Sequence, residues 1–109
     1  MSNAGFYIYE TKPLTLRFKP DGVLVNSKEI IVTILQGISG TLIEKTGADL
    51  AINLTDNTVT IHLSQEETAR FQPGTAQVQV NILYEDRERD TTVQEQISVY
   101  DNLHREIME

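Results

Sequence analysis

Apolar and polar residues alternate over most of this chain, with the period of two that is typical of β-strands having one buried face. In the clearest run, residues 76–84, glutamine or asparagine separates the first four apolar residues from one another. Similar runs cover residues 14–18, 58–63 and 91–99. The pattern predicts a protein built mainly from strands.

One strand candidate, Ile30–Gln36, is apolar on both faces. Such a run predicts a central strand that is covered on both sides. Three glycines between residues 37 and 47 interrupt the pattern that follows. They leave short strands near 41–44 and 50–54, which suit the edge of a sheet.

Turn-forming residues separate the strand candidates. The predicted breaks are Lys19–Gly22, Asn26–Lys28, a two-residue hairpin link at Asp56–Asn57 and a solvated connection over Glu85–Asp90. Glu95 interrupts the apolar side of the last strand, where an unpaired carboxylate would be costly to bury. A β-bulge that turns Glu95 outward is the favoured explanation, and a strand that faces the core only in its second half is the alternative.

A single helix is predicted, within the segment Leu63–Gly74. Ser64 and Glu67 have the spacing of a capping box, in which each side chain bonds to the backbone N–H of the other residue. Pro73 and Gly74 end the helix after roughly two turns. Phe71 gives the segment an apolar side that can lie on a core formed by the flanking strands.

Seven or eight short strands and one short helix between late strands predict an all-β fold, an immunoglobulin-like Greek-key β-sandwich. A small barrel is the alternative. The 109 residues form one domain, residues 1–109, with 1–5 and 103–109 as flexible or interface tails. The alternation places nine residues in the core: Ile34, Val59, Ile61, Phe71, Val78, Val80, Ile82, Ile97 and Val99.

Composition narrows the classes of function. Sixteen acidic and nine basic residues give a net charge of −7, and no basic patch is present to bind phosphate or anionic lipid. The absence of cysteine excludes disulfides, thiolate metal sites and a cysteine nucleophile. No apolar run approaches the roughly 20 residues of a membrane helix. We therefore expect neither nucleic-acid binding nor membrane insertion.

The titratable residues do not predict a catalytic site, a cofactor site or a metal site. His62 and His104 are far apart in sequence, and neither has a further ligand at metal-binding spacing. Glu66 and Glu67 are adjacent on a helix and point in different directions, which does not suit a pair of catalytic carboxylates. Four tyrosines are candidates for an aromatic sugar-binding platform, although packing within the sheets is the more common role: Tyr7, Tyr9, Tyr84 and Tyr100.

Both ends of the chain carry apolar residues with no evident partner nearby in sequence. The candidate interface residues are Phe6, Tyr7, Ile8, Tyr9, Leu103, Ile107 and Met108. Leu103 and Ile107 have the i, i+4 spacing of one helical turn, which is too short to be stable alone. Exposed in a monomer, these residues would favour aggregation, so we expect them to be buried against another subunit.

The order of several segments resembles a known family. Ile30–Gln36 is followed by VTIHLSQEET at 59–68, by Phe71 to Gly74, by Val78–Val80, and by Ile97–Val99 before Leu103. This order resembles small proteins encoded among the tail genes of Firmicutes prophages, similar to the N-terminal domain of the phage baseplate upper protein. That family typically has a glycine in the last hairpin, where this chain has Asp86–Arg87–Glu88, so we expect a longer or differently built turn.

The resemblance implies a non-enzymatic structural protein of a phage tail or baseplate, with no catalytic residues and no cofactor. It implies that the partners are other tail proteins or further copies of the chain, and that the protein is assembled in the bacterial cytoplasm into the tail of the virion. The alternative is a carbohydrate-binding or other small-ligand or adhesion module with a β-sandwich fold.

Overall fold

A computed structural model describes residues 5–18, 24 and 26–108, without the side chains of Lys12, Asp90 and residues 92–95. The described strands are β1 (Gly5–Tyr7), β2 (Lys12–Arg17), β3 (Ser27–Gln36), β4 (Thr41–Thr46), β5 (Leu50–Asn53), β6 (Thr58–Leu63), β7 (Gly74–Tyr84) and β8 (Arg89–Tyr100). A helix of one turn, α1 (Gln65–Thr68), joins β6 to β7, and a 3₁₀ turn, Gly47–Asp49, precedes β5. The predicted turn Lys19–Gly22 and residues 1–4 of the predicted N-terminal tail lie outside the described residues.

The strands form two sheets that pack face to face. Sheet A has the order β1-β8-β7-β3-β4, and sheet B has the order β2-β6-β5. All pairs are antiparallel except β1 with β8. The prediction of an all-β, immunoglobulin-like sandwich is confirmed. The chain contains neither cysteine nor tryptophan, so aliphatic side chains occupy the centre, where antibody domains have a disulfide beside a tryptophan.

The core lies between the inner faces of the two sheets. All nine residues predicted from the alternation are buried there. Leu14, Leu16 and Phe18 of the β2 region are buried as well, since their alternation matches that of β6 opposite. Single-face periodicity therefore identified much of the core correctly, but not Phe6 and Ile8, which are also buried.

The two-sided burial predicted for β3 is wrong. Val32 and Ile34 are fully buried, but Leu35 on the opposite face is 45% exposed and Ile31 is only partly covered. The strand is central because β4 and β7 flank it within sheet A. The apolar run of β3 therefore marks a strand with neighbours on both sides within its sheet, and not a strand that is buried on both faces.

The helix begins as predicted but is shorter. Ser64 Oγ accepts a hydrogen bond from the Glu67 N–H at 3.1 Å, and Glu67 Oε1 accepts one from the Ser64 N–H at 2.9 Å, which confirms the capping box. The helix is a single turn, because after Thr68 the backbone continues in tighter turns, with Phe71 N–H bonded to the Thr68 carbonyl. Phe71 is buried and meets the Phe6 ring edge-on at 5.2 Å.

Two hairpins differ from the sequence prediction. The link between β5 and β6 spans residues 54–57, and only Asn57 has a positive φ, of 57°. In the last hairpin, the Arg87 N–H bonds to the Tyr84 carbonyl and the Tyr84 N–H bonds to the Glu88 carbonyl, both at 2.9 Å. These bonds close a three-residue loop in which Arg87, at φ 70°, has the left-handed conformation that usually favours glycine. The loop contains only three residues, and Arg87 occupies the position in it where glycine is usual.

The last strand contains a β-bulge, but it lies at Val93 and the predicted outward turn of Glu95 is not tested. The register of β7 with β8 moves from Gln79 opposite Gln94 to Val80 opposite Thr92, so Val93 is the additional residue. The direction of the Glu95 side chain lies outside the described part of the chain. Ile97 and Val99, beyond the bulge, are buried as predicted.

Candidate protein-protein interface

The described residues contain no cluster of side chains that could hold a metal ion. No three histidine, aspartate or glutamate side chains among them are close enough to share a metal ion. The two glutamates of α1 have separate surroundings, because Glu66 is exposed while Glu67 bonds to Ser64 and to Lys45. No helix in the described ranges is long and apolar enough to cross a membrane.

Four segments converge at one end of the sandwich, which we call the α1 end. They are α1 with its link to β7 (64–74), the β1-β2 link (8–11), the β3-β4 hairpin (36–41) and the C-terminal tail (101–108). Thr68 Oγ1 donates to the Glu10 carbonyl at 2.7 Å, and Thr41 Oγ1 donates to the Arg70 carbonyl at 2.6 Å. These side-chain bonds fix segments that have no ladder of backbone hydrogen bonds between them.

The link from α1 to β7 is fixed most firmly by Gln36, at the end of β3. The Gln36 side chain is 1% exposed, and its amide group both donates to the Gln72 carbonyl and accepts from the Gln72 N–H, each at 2.7 Å. The side-chain amide thus replaces a strand partner for Gln72. Sequence reasoning missed this role, although a polar residue at the end of an apolar strand was the available signal.

The C-terminal tail lies against the domain without regular secondary structure. Asn102 Nδ2 donates to the Ile8 carbonyl at 3.0 Å. The Gln65 side chain bonds to both backbone groups of Met108, at 2.8 Å each. The predicted helical turn at Leu103 and Ile107 is wrong, since the backbone from 101 to 108 has no helical hydrogen bonds. Contacts with α1 and the β1-β2 link hold the tail instead.

Half of the N-terminal interface prediction requires correction. Phe6 and Ile8 are 1% and 5% exposed, because β1 pairs with β8 and these two residues enter the core. Tyr9 packs against the same core. Phe6 and Ile8 are therefore not free to contact another protein in the folded domain, and the first strand does have a partner within its own chain.

Tyr7 remains exposed and forms an aromatic pair. Its ring centre lies 5.2 Å from that of Tyr100, with an angle of 38° between the ring planes, and the two residues are 50% and 48% exposed. Gly5 makes room for this pair, since a Cβ atom there would lie 3.2 Å from the Tyr100 ring and 2.6 Å from the Ser98 carbonyl oxygen. Tyr9 and Tyr84, the other candidates for a sugar platform, are only partly exposed and pack against the core.

Exposed large apolar side chains concentrate at the α1 end and on the adjoining part of sheet A. Of ten such residues in the described chain, two lie at or just after β5, Ile52 and Leu54. The other eight are Tyr7, Leu35, Ile38, Leu42, Tyr100, Leu103, Ile107 and Met108. The predicted interface residues Tyr7, Leu103, Ile107 and Met108 are therefore exposed and belong to one region of the surface.

The outer face of sheet A also contains an open groove of about 280 Å³, lined by residues that include Ile31, Asn81 and Arg89. Asn81 Oδ1 accepts hydrogen bonds from Arg89 Nη2 at 3.0 Å and from Thr91 Oγ1 at 2.7 Å. Asn81 and Arg89 in the groove thus bond to each other. Nothing in its geometry indicates an enclosed ligand site.

The sequence matches no family model and no curated protein. Among solved structures, the fold is similar to CopC from Methylosinus trichosporium OB3b, with a TM-score of 0.54 and 20% identity over 94% of this chain and 91% of that chain. Drosophila OTK, extracellular domains 3-5, gives a TM-score of 0.39 with 14% identity over 93% of this chain and 32% of that one. The V domain of amphioxus IgVJ-C2 gives 0.34 with 9% identity over 89% and 99%. At these identities the similarity concerns the fold, and a shared fold does not define a function.

Proposed function

We propose that this protein is a non-enzymatic assembly module that acts through protein-protein contacts at its α1 end. The observation that carries the proposal is the concentration there of exposed apolar residues, including Leu103, Ile107 and Met108. Monomeric proteins rarely expose large contiguous apolar patches, and such patches typically mark binding surfaces. Leu103 is fully exposed on a tail whose backbone is fixed by hydrogen bonds on either side of it.

The resemblance of the sequence to prophage tail proteins suggests in which assembly the module would act. The protein would be a tail or baseplate component, assembled in the bacterial cytoplasm and carried in the virion. Its partners would be other tail proteins or further copies of itself. The net charge of −7 argues against nucleic acid and anionic membranes as partners.

The proposal can be tested by inducing a lysogen that carries a variant of the C-terminal tail of this chain. The measurement is whether the variant protein is present in the purified phage particles. Replacing Leu103, Ile107 and Met108 together with serine removes exposed apolar surface and leaves the buried core unchanged. We expect this variant to fold normally by circular dichroism and to be absent from particles. The matched control, Ile52→Ser, alters an exposed apolar residue away from the α1 end and should be incorporated normally. Equal incorporation of both variants would contradict the proposal.

A carbohydrate-binding module is the second candidate, and the exposed pair of Tyr7 and Tyr100 is the observation that favours it. The two rings are tilted by 38° and do not form a flat platform. Binding on a glycan array that is lost in both Tyr7→Ala and Tyr100→Ala would support this candidate. No binding to any glycan, together with incorporation into particles, would eliminate it.

A further inference from the structure

We propose that β4 accepts an extended segment of a partner protein as an added strand, and that this segment carries a basic residue opposite Glu44. The inference goes beyond the proposed function, because it concerns backbone pairing at a strand edge and does not depend on the C-terminal tail. β4 lies at one edge of sheet A, with β3 as its strand partner. An unpaired strand edge can extend its sheet with a strand from another chain.

The backbone groups that such a segment would bind belong to Leu42 and Glu44. In an antiparallel pair, alternate residues direct their N–H and C=O groups to alternate sides of the strand. The Leu42 carbonyl points away from β3, where it accepts a hydrogen bond from Arg70 Nη2 at 3.4 Å. Glu44, two residues further on, directs its backbone groups to the same side. No described strand lies beside them there.

The other three sheet edges are shorter or interrupted. β1 has three residues and β5 has four, while β2 contains Pro13, which has no N–H to donate. β4 has six residues and no proline. Among the described strands, β4 therefore offers the longest uninterrupted edge.

The lysine in β4 does not oppose an added strand. Lysine on an edge strand usually discourages pairing with another chain. Lys45 Nζ, however, lies 2.6 Å from Glu67 Oε2 of α1, and the Lys45 side chain is only 15% exposed. Its charge is therefore neutralised within the domain.

The side chains on the outer face of β4 indicate the chemistry of the partner. Glu44 is exposed, forms no ion pair in the described part of the chain, and accepts only a long hydrogen bond from Thr33 Oγ1, at 3.5 Å. Leu42 on the same face is 49% exposed. Residues directly opposite each other on paired strands interact, and opposite charges attract there. We therefore expect a lysine or arginine opposite Glu44 and, two positions away, an apolar residue opposite Leu42.

The charge of the whole chain favours a different protein over a second copy as the partner. Each chain carries a net charge of −7, so two copies repel each other, whereas a basic segment is attracted. A second copy pairing through β4 would also bring a second Glu44 into the same interface. A basic segment instead supplies the charge that Glu44 lacks.

An NMR titration of the isotope-labelled whole chain with a synthetic peptide tests the inference. The probe is the blocked peptide TLTKTLT, in which the central lysine has a leucine two positions away on either side, so that it can pair in either direction. We expect it to shift the amide signals of Leu42 and Glu44 and to slow the exchange of their N–H protons. Replacing the lysine of the peptide with glutamate should weaken binding about tenfold, because the attraction to Glu44 becomes repulsion.

Two variants separate backbone pairing from charge. Glu44→Pro removes the outward N–H and leaves the hydrogen bonds between β3 and β4 in place, so we expect binding of TLTKTLT to be lost. Thr15→Pro is the matched control, because it adds a proline at an exposed position of β2, an edge strand of sheet B, and should leave binding unchanged. Glu44→Gln keeps the N–H and removes the charge, so the lysine and glutamate peptides should bind it equally.

The inference is overturned if millimolar TLTKTLT leaves the amide signals of β4 unchanged, or if a folded Glu44→Pro protein binds it as wild type does. If circular dichroism shows that Glu44→Pro does not fold, unequal binding of the two peptides to Glu44→Gln refutes the inference. Changes in the same signals with protein concentration alone would identify a second copy as the occupant and refute a basic partner. If the peptide does not bind but the tail variant is absent from phage particles, the proposed function stands and only the added strand is refuted.

Discussion

The side-chain amide of Gln36 pairs with both backbone groups of Gln72, with each hydrogen bond 2.7 Å long. Removing it in Gln36→Ala leaves a backbone donor and a backbone acceptor without their partner and opens a cavity. We therefore expect a loss of about 2–4 kcal/mol in the free energy of unfolding, measured by urea denaturation. Gln72→Ala is the control, since it removes an exposed side chain and keeps the paired backbone. Similar losses in both variants would show that the amide pairing is not responsible.

For Ser64, the N-cap of α1, we expect a substitution to have a smaller effect on the free energy of unfolding. Ser64→Ala removes the oxygen that accepts from the Glu67 N–H, and we expect a loss of about 1 kcal/mol in thermal or urea unfolding. Ser64→Asp retains an acceptor at the same place and should remain within a few tenths of a kcal/mol of wild type. An unchanged Ser64→Ala protein would mean that water replaces the cap without cost.

Glu67 gives the domain a dependence on pH. Partial burial raises the pKa of its carboxyl group, but the hydrogen bond and charge of Lys45, with the bonds from Ser64, outweigh this and hold the pKa below its usual 4.5. Lys45 Nζ lies 2.6 Å from Glu67 Oε2. Because the folded pKa is lowered, the stabilisation is complete above about 4.5 and is lost as the pH falls through the folded pKa.

Glu67→Gln tests this dependence. We expect the variant to be less stable than wild type at pH 7 and the difference to shrink as the pH falls below 4.5 and through the lowered pKa of folded Glu67. Glu66→Gln removes an exposed carboxylate from the same helical turn and serves as the control. A difference between wild type and Glu67→Gln that does not vary with pH would exclude the ion pair as its source.

Arg87 holds a left-handed backbone conformation that costs a residue with a Cβ atom about 1 kcal/mol. Arg87→Gly should therefore stabilise the protein by roughly 0.5 kcal/mol after the added flexibility of the unfolded chain is counted. Glu85→Gly lies in the same loop without a positive φ and should be neutral or destabilising. Thermal unfolding of the two variants gives the comparison, and a destabilised Arg87→Gly would indicate that the arginine side chain contributes contacts of its own.

The sequence predicted those features that depend on local chemistry. The capping box of Ser64 and Glu67 needs residues only three apart, and the core positions of β6 and β7 follow from alternation along single strands. Features that join distant segments were missed. Phe6 was assigned to a surface because its partner strand, β8, is far away in sequence.

The same limit applies to the candidate interface. Exposure of Leu103, Ile107 and Met108 was predicted from their isolation at one end of the chain, but Leu35 and Leu42 were not identified, because periodicity cannot tell which face of a two-sided apolar strand meets the second sheet. Hydrophobic periodicity likewise could not predict the pairing of Gln36 with Gln72, since the two residues lie in different elements.

The parallel pairing of β1 with β8 has a consequence for biosynthesis. Gly5 lies opposite Ser98, so β1 leaves the ribosome well before the strand with which it pairs. Until that strand emerges, Phe6 has no strand beside it to hold it in the core. Closing a loop of about ninety residues is entropically slow relative to hairpin formation. The pairs of β2 with β6, β3 with β4 and β7, and β5 with β6 all lie within residues 12–84 and can form before β8 emerges. We therefore expect the docking of β1 on β8 to be the final step in folding of the nascent domain.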